Sequence, residues 1–188
     1  MTPPTKIQAI IDFVTHWHKE QKRKFTGEPY VTHLLDVYKT VQEITNDKTI
    51  QAAALCHDLY EDTPCSETEF VNYMLENGFS TSEIKRINSL VYNLTDVYIK
   101  AHYPHLNRAR RKTLEARRLA HIQPDAQTIK YADMLDNSKD LVKDAPGFAG
   151  KYLSEMKQIL EGMKDGNPTL YKRAKKQCKN QLDLLTSS

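Results

Sequence analysis

Apolar residues recur three and four positions apart along almost all of this chain, which is the period of an α-helix. Proline and glycine mark the breaks: Gly27 and Pro29, Pro64 after Thr63, Asp144-Ala145-Pro146-Gly147, and Gly166-Asn167-Pro168. Little of the chain alternates with the period of a strand. The pattern predicts an all-α fold of about eight or nine helices. A first helix is expected over 5–22, burying Ile7, Ile10, Ile11, Val14 and Trp17. A second is expected to carry Pro29 in its first turn and to run through His33, Leu34, Val37, Val41 and Ile44. A third is expected to end at Thr63. Ser66 with Glu69 and Ser80 with Glu83 fit the capping box, so two more helices start there, the second stopping near Thr95. After an irregular stretch over 98–104, helices are expected over 107–121, from Pro124 onward, over 148–163 and over 169–185. With 188 residues and no repeat, low-complexity tract or linker, the chain reads as a single domain spanning 1–188.

Inside the third helix stands Ala53-Ala54-Leu55-Cys56-His57-Asp58-Leu59-Tyr60-Glu61-Asp62-Thr63. On a continuous helix, residues four apart share a face, so His57 is expected under Glu61 and Asp58 under Asp62. The apolar run before them carries these groups toward the interior, where uncompensated charge is costly. A bound cation is the simplest compensation. Two further residues suit such a site: His33, flanked by apolar neighbours, and Asp133, a carboxylate in an otherwise apolar stretch. Two imidazoles and two carboxylates form a mixed nitrogen and oxygen set, better matched to Mn, Fe, Co or Zn than to Mg or Ca. Each residue taken alone reads better as a hydrogen-bonded polar residue of the core than as a ligand, and only the set of four suggests a metal site.

The ordered set His33, His57-Asp58, Asp133 resembles the pattern that names the HD superfamily of metal-dependent phosphohydrolases. Three segments sharpen the likeness: Gly27-Glu28-Pro29-Tyr30-Val31-Thr32-His33, Ala54-Leu55-Cys56-His57-Asp58-Leu59-Tyr60-Glu61-Asp62-Thr63, and Lys130-Tyr131-Ala132-Asp133-Met134-Leu135-Asp136-Asn137. They are similar to the hallmark segments of the Rel/Spo alarmone hydrolases, which remove the 3′-diphosphate from (p)ppGpp with Mn²⁺. The resemblance covers roughly 22–141 and implies an HD-type helical bundle completed by the helices over 148–185. It implies His33, His57, Asp58 and Asp133 as metal ligands, with Mn²⁺ or another divalent transition metal bound. It implies Glu61 and Asp62 as the pair that activates and orients water, and Asn137 as a contact to the substrate ribose. Lys24 stands where the family usually has an arginine, and Met134 and Asp136 where it has arginine and histidine. These departures touch substrate handling and leave the metal and catalytic positions intact.

Net charge is only +3, so the chain as a whole is not a nucleic-acid magnet. The segment 107–118 nevertheless concentrates Arg108, Arg110, Arg111, Lys112, Arg117 and Arg118 against one acid, Glu115, and Lys22, Arg23 and Lys24 form a second run. Such runs serve as solvated helix faces or as phosphate-binding rims. With Lys24, the phosphate candidates are Arg108, Arg111 and Lys112. The expected partner is a small nucleotide: a guanosine 3′,5′-bis(diphosphate)-like alarmone first, or else an adenosine alarmone, a dinucleotide 2′-phosphate or a nucleoside phosphate. A nucleotide- or RNA-binding module without hydrolysis is the alternative from another class. The tyrosines read mostly as packing residues, and no function attaches to His16, His18, His102, His105 or His121. Three cysteines, without metal-finger spacing, no apolar run of membrane-spanning length and no signal-peptide pattern near the start lead to the expectation of a cytoplasmic protein.

Overall fold

The computed structural model of the protein describes residues 5–186. Among them the regular structure is helical, in eleven segments of which two are single four-residue turns. The only β pairing among these residues is an isolated bridge between Lys22 and Pro29. The all-α expectation holds. The helices gather into two compact units, one up to Thr95 and one from Asp96 onward.

The first unit holds α1 (Lys6–Trp17), α2 (Val31–Gln42), α3 (Lys48–Leu55), α4 (Leu59–Asp62), α5 (Glu67–Glu76) and α6 (Thr81–Leu94). At its centre α3 packs against α1, α2 and α6. Every residue from Ile50 to Leu55 is buried, and the small side chains of Ala52, Ala53 and Ala54 let the neighbours approach closely. Full burial of a side chain such as Leu55 contributes about 1.5–3 kcal/mol. Helix α1 buries Ala9, Ile10, Phe13 and Val14, whereas Ile7, Ile11 and Trp17 are half-buried. The stripe is turned toward Phe13, whose ring lies 4.4 Å from Tyr73 and 6.1 Å from Phe70.

Helix α1 ends at Trp17, five residues before the expected 22, because the backbone beyond it pairs with itself. Gln21 donates its N–H to the His18 carbonyl (2.9 Å), Tyr30 to that of Gln21 (3.0 Å) and Arg23 to that of Glu28 (2.8 Å). Gly27, at φ 74°, supplies the left-handed residue that this loop requires. Pro29 therefore belongs to the bridge, and α2 starts two residues later than expected.

The expected third helix is interrupted. Helix α3 stops at Leu55 and α4 starts at Leu59, with Cys56 (φ −99°, ψ 4°) and Asp58 (φ −100°, ψ 4°) in the bridge region of backbone space. Leu59 donates to the Cys56 carbonyl at 3.0 Å, the i to i+3 contact of a tightened turn. The capping boxes predicted at Ser66–Glu69 and Ser80–Glu83 are both formed, in both directions.

The second unit holds α7 (Arg108–Leu119), α8 (Pro124–Ser138), α9 (Leu141–Asp144), α10 (Pro146–Gly162) and α11 (Pro168–Thr186). Helix α11 packs on α8 and α10, and α10 on α7. Helix α8 buries ten of its fifteen residues, and Gln127 and Thr128 among them hold the turn that leads into α11. Gln127 accepts N–H bonds from Asp165 (2.7 Å) and Gly166 (3.2 Å), and Thr128 accepts from Asn167 (2.8 Å). A Cβ on Gly166 would stand 2.6 Å from the Tyr131 ring and 2.8 Å from the Thr128 nitrogen, so only glycine fits there. Helix α10 begins at Pro146, in the first turn where proline is tolerated, two residues before the expected start.

Cys56, Cys65 and Cys178 are buried and unpaired. Burial pushes all three thiols up, Cys65 to about 12. No helix among the described residues is long and apolar enough to cross a membrane.

Candidate metal centre and active site

Adjacent side chains on a regular helix diverge by about 100°. The tightened turn between α3 and α4 removes that divergence and lets His57 and Asp58 converge. His57 Nε2 lies 2.9 Å from Asp58 Oδ2. From α2, His33 brings its Nε2 to 3.2 Å from His57 Nε2 and 3.5 Å from Asp58 Oδ2. All three ligand atoms lie within 4.8 Å of one another. Both imidazoles are 1% exposed, and Asp58 is half-buried.

The donor set fits a divalent cation. His57 Nδ1 sits 2.8 Å from the Ala54 carbonyl, which can only accept, so the proton is on Nδ1 and Nε2 presents a lone pair toward the cluster. A bare imidazole nitrogen facing a carboxylate oxygen at 2.9 Å is unfavourable without a positive charge beside it. The carboxylate is further oriented by Tyr30, whose hydroxyl donates to Asp58 Oδ2 at 2.7 Å.

Helix α4 carries Glu61 and Asp62, both exposed. The Gln21 amide donates to Asp62 Oδ2 at 2.9 Å, and its oxygen lies 2.6 Å from His18 Nδ1. His18 is 2% exposed, and its ring stacks on Tyr30 with centroids 5.2 Å apart and planes 18° from parallel. Burial holds the His18 imidazole below its usual range, against the raising effects of Gln21, Asp58 and Asp62. Sequence reasoning gave His18, Gln21 and Tyr30 no part in the site. Tyr30 lies within the first motif segment, three residues before His33, and that spacing is the signal the sequence offers.

The remaining candidates divide between the units. Lys24 lies in the 22–29 loop with its ammonium 5.3 Å from the Phe25 ring centroid. In the second unit Asp133 is buried on α8, receiving Lys130 at 2.8 Å on one oxygen and the Asn137 amide on the other. The basic helix α7 is well supplied with protein partners. Arg108 forms a two-pronged pair with Glu155 (3.0 and 2.9 Å), Lys112 pairs with Asp96 (2.8 Å), and Arg111 donates to the Leu106 carbonyl. Buried Glu115 accepts the Val97 and Tyr98 N–H groups (3.1 and 3.0 Å) and pairs with Arg118 (2.7 Å). These contacts hold the segment 96–98 against α7.

A family model described as HD domain matches residues 11–160. This chain belongs to the HD domain family. The HD chain is 30% identical over 167 residues to guanosine-3′,5′-bis(diphosphate) 3′-pyrophosphohydrolase MESH1 of Mus musculus, with 85% of each chain covered. It is 28% identical over 176 residues to the protein of the same name from Drosophila melanogaster, covering 89% of this chain and 90% of that one. A solved structure described as a metazoan ortholog of SpoT that hydrolyzes ppGpp and plays a role in starvation responses matches at a TM-score of 0.77. It covers 96% of this HD chain and 98% of its own at 24% identity, a likeness of fold.

Proposed function

We propose that this HD chain is a Mn²⁺-dependent pyrophosphohydrolase that removes the 3′-diphosphate of guanosine 3′,5′-bis(diphosphate)-like nucleotides. The observation that carries the reading is the convergence of His33 Nε2, His57 Nε2 and Asp58 Oδ2, one turn of chain before the Glu61–Asp62 pair. The names of the relatives point to the same reaction. His33, His57 and Asp58 would hold the metal, and Asp133 is proposed as a fourth ligand on the strength of its motif. When bound, the metal lowers the pKa of water and offsets charge on the phosphate.

The chain's own residues supply the rest. Glu61 accepts the proton of the attacking water, and Asp62, held by Gln21, orients that water toward the phosphorus attached to the 3′ oxygen. The bond between that phosphorus and the 3′ oxygen breaks. The 3′ oxygen takes up a proton, and the products are pyrophosphate and the nucleoside 5′-diphosphate. Asn137 is proposed to contact the ribose and Lys24 the phosphates. Arg108, Arg111 and Lys112 are the proposed outer phosphate contacts, each of them already braced by a protein partner. Three unpaired thiols support a reducing, cytoplasmic setting.

The deciding assay is pyrophosphate release from ppGpp with added Mn²⁺. Robust release that is lost in Asp58→Ala and in Glu61→Ala supports the reading; release that survives both substitutions overturns it. Arg111→Ala is expected to raise KM with metal content unchanged, and an unaltered KM would remove Arg111 from the phosphate contacts. Met134 and Asp136, at positions where the family carries other residues, make base identity a separate question. Turnover of an adenosine alarmone or a dinucleotide 2′-phosphate in place of ppGpp would redirect the substrate assignment.

A further inference from the structure

The contacts around His18 leave one arrangement of protons. An ionised carboxylate only accepts, so Asp62 Oδ2 must face the NH₂ of Gln21, and the Gln21 oxygen must then face His18. An amide oxygen also only accepts, so the 2.6 Å contact places a proton on His18 Nδ1. In the neutral ring that burial favours, Nε2 is bare. That nitrogen is buried and has no hydrogen-bond partner among the described residues. A phenylalanine could fill the same space without leaving a buried acceptor unsatisfied. What the histidine supplies is the Nδ1–H directed at Gln21.

The other face of the ring does a second job. It stacks on Tyr30, the residue whose hydroxyl holds Asp58 Oδ2 at 2.7 Å. His18 thus touches two arms, one leading through Gln21 to Asp62 and one leading through Tyr30 to Asp58. It lies just beyond the last turn of α1, outside the three motif segments.

We infer that His18 is a positioning residue for hydrolysis: its Nδ1–H locks the Gln21 amide, which sets the rotation of the Asp62 carboxylate, and its ring face seats Tyr30 against Asp58. The role given to Asp62 rests on the function proposed above. The Asp62 arm acts on the orientation of water, so its loss lowers kcat and leaves KM and metal affinity where they were.

Two substitutions separate the arms. His18→Phe keeps a ring on Tyr30 and removes the Nδ1–H; His18→Asn keeps an amide donor near the Nδ1 position. We expect His18→Phe and Gln21→Leu each to lower kcat by about 10- to 100-fold, the range seen when an outer partner of a site is removed. KM and the Mn²⁺ affinity from calorimetry are expected to stay unchanged in both; His18→Asn, which gives up the ring on Tyr30, is expected to bind Mn²⁺ more weakly and, at saturating Mn²⁺, to recover most of the kcat. Wild-type kcat in His18→Phe, or a loss that His18→Asn does not relieve, overturns the inference. A second measurement needs no turnover: long-range ¹H–¹⁵N spectra of the metal-free wild-type protein should show His18 protonated on Nδ1 and bare on Nε2. The reverse tautomer overturns the lock directly. If the wild-type protein releases no pyrophosphate from ppGpp, the proposed reaction fails, while the tautomer still decides the role of His18.

Discussion

Around Asp58 a carboxylate, a phenol and two imidazoles meet within 3.5 Å, and each contact depends on the position of a single proton. The Ala54 carbonyl fixes the proton of His57, and the Tyr30 hydroxyl spends its own on Asp58. Removing such an outer partner weakens metal binding by about 10- to 100-fold in comparable sites. Tyr30→Phe is therefore expected to weaken Mn²⁺ by that order in a calorimetric titration, and an unchanged affinity would show that the phenol is dispensable. His33, His57 and Asp58 were legible in the sequence because each lies in a segment of distinctive neighbours in a set order. Tyr30, His18 and Gln21 were not. Their part depends on a loop that folds back through a bridge at Lys22 and Pro29, and no spacing in the sequence announces that contact.

Among the elements, the short side-chain signals were the easiest to read. Ser66 and Ser80 start helices as their capping boxes predict, since the chemistry is complete within four residues. The break between α3 and α4 escaped the sequence because residues 52–63 contain neither glycine nor proline, and helix propensity alone favours continuity there. Tertiary placement of two adjacent side chains onto one point overrides it. Helix α6 also yields a pH prediction. The Lys6 amine, at 2.8 Å from both oxygens, together with the Ser80 N–H and hydroxyl, pulls Glu83 from its ordinary 4.5 down to about 2. A carboxyl with a depressed folded-state pKa stabilises above the unfolded value, and that contribution is lost as pH falls from 4.5 toward 2. Glu83→Gln should accordingly be less stable than wild type at neutral pH in denaturant unfolding, with the gap closing across that acid window. A gap that persists to the lowest pH would assign the effect to something other than the charge.

For the molecule as a whole, fold class was the most legible property, because helical periodicity runs through both compact units. We propose that the chain unfolds as one cooperative domain, as its length and the absence of a linker suggest. Calorimetry should then show a single transition whose calorimetric and van't Hoff enthalpies agree, and two resolved transitions would count against it. A metal that binds only the folded state should raise Tm with concentration, and a chelator should reverse the rise. Asp58→Ala is expected to abolish that response while leaving the metal-free Tm nearly unchanged; a response that persists would place the metal elsewhere.

The three thiols bear on how such questions can be pursued. Cys56, Cys65 and Cys178 are all sealed from solvent with their ionisation suppressed, and a protonated, inaccessible sulfur is a poor nucleophile. The folded chain is thus effectively blank to maleimides. Cysteines introduced in place of exposed Ser82 on α6 and Ser154 on α10 would be the two sites that react, with no native cysteine removed. Paired spectroscopic labels there would report the distance between the two units in solution, and how it responds to a nucleotide, from a protein that keeps its natural core.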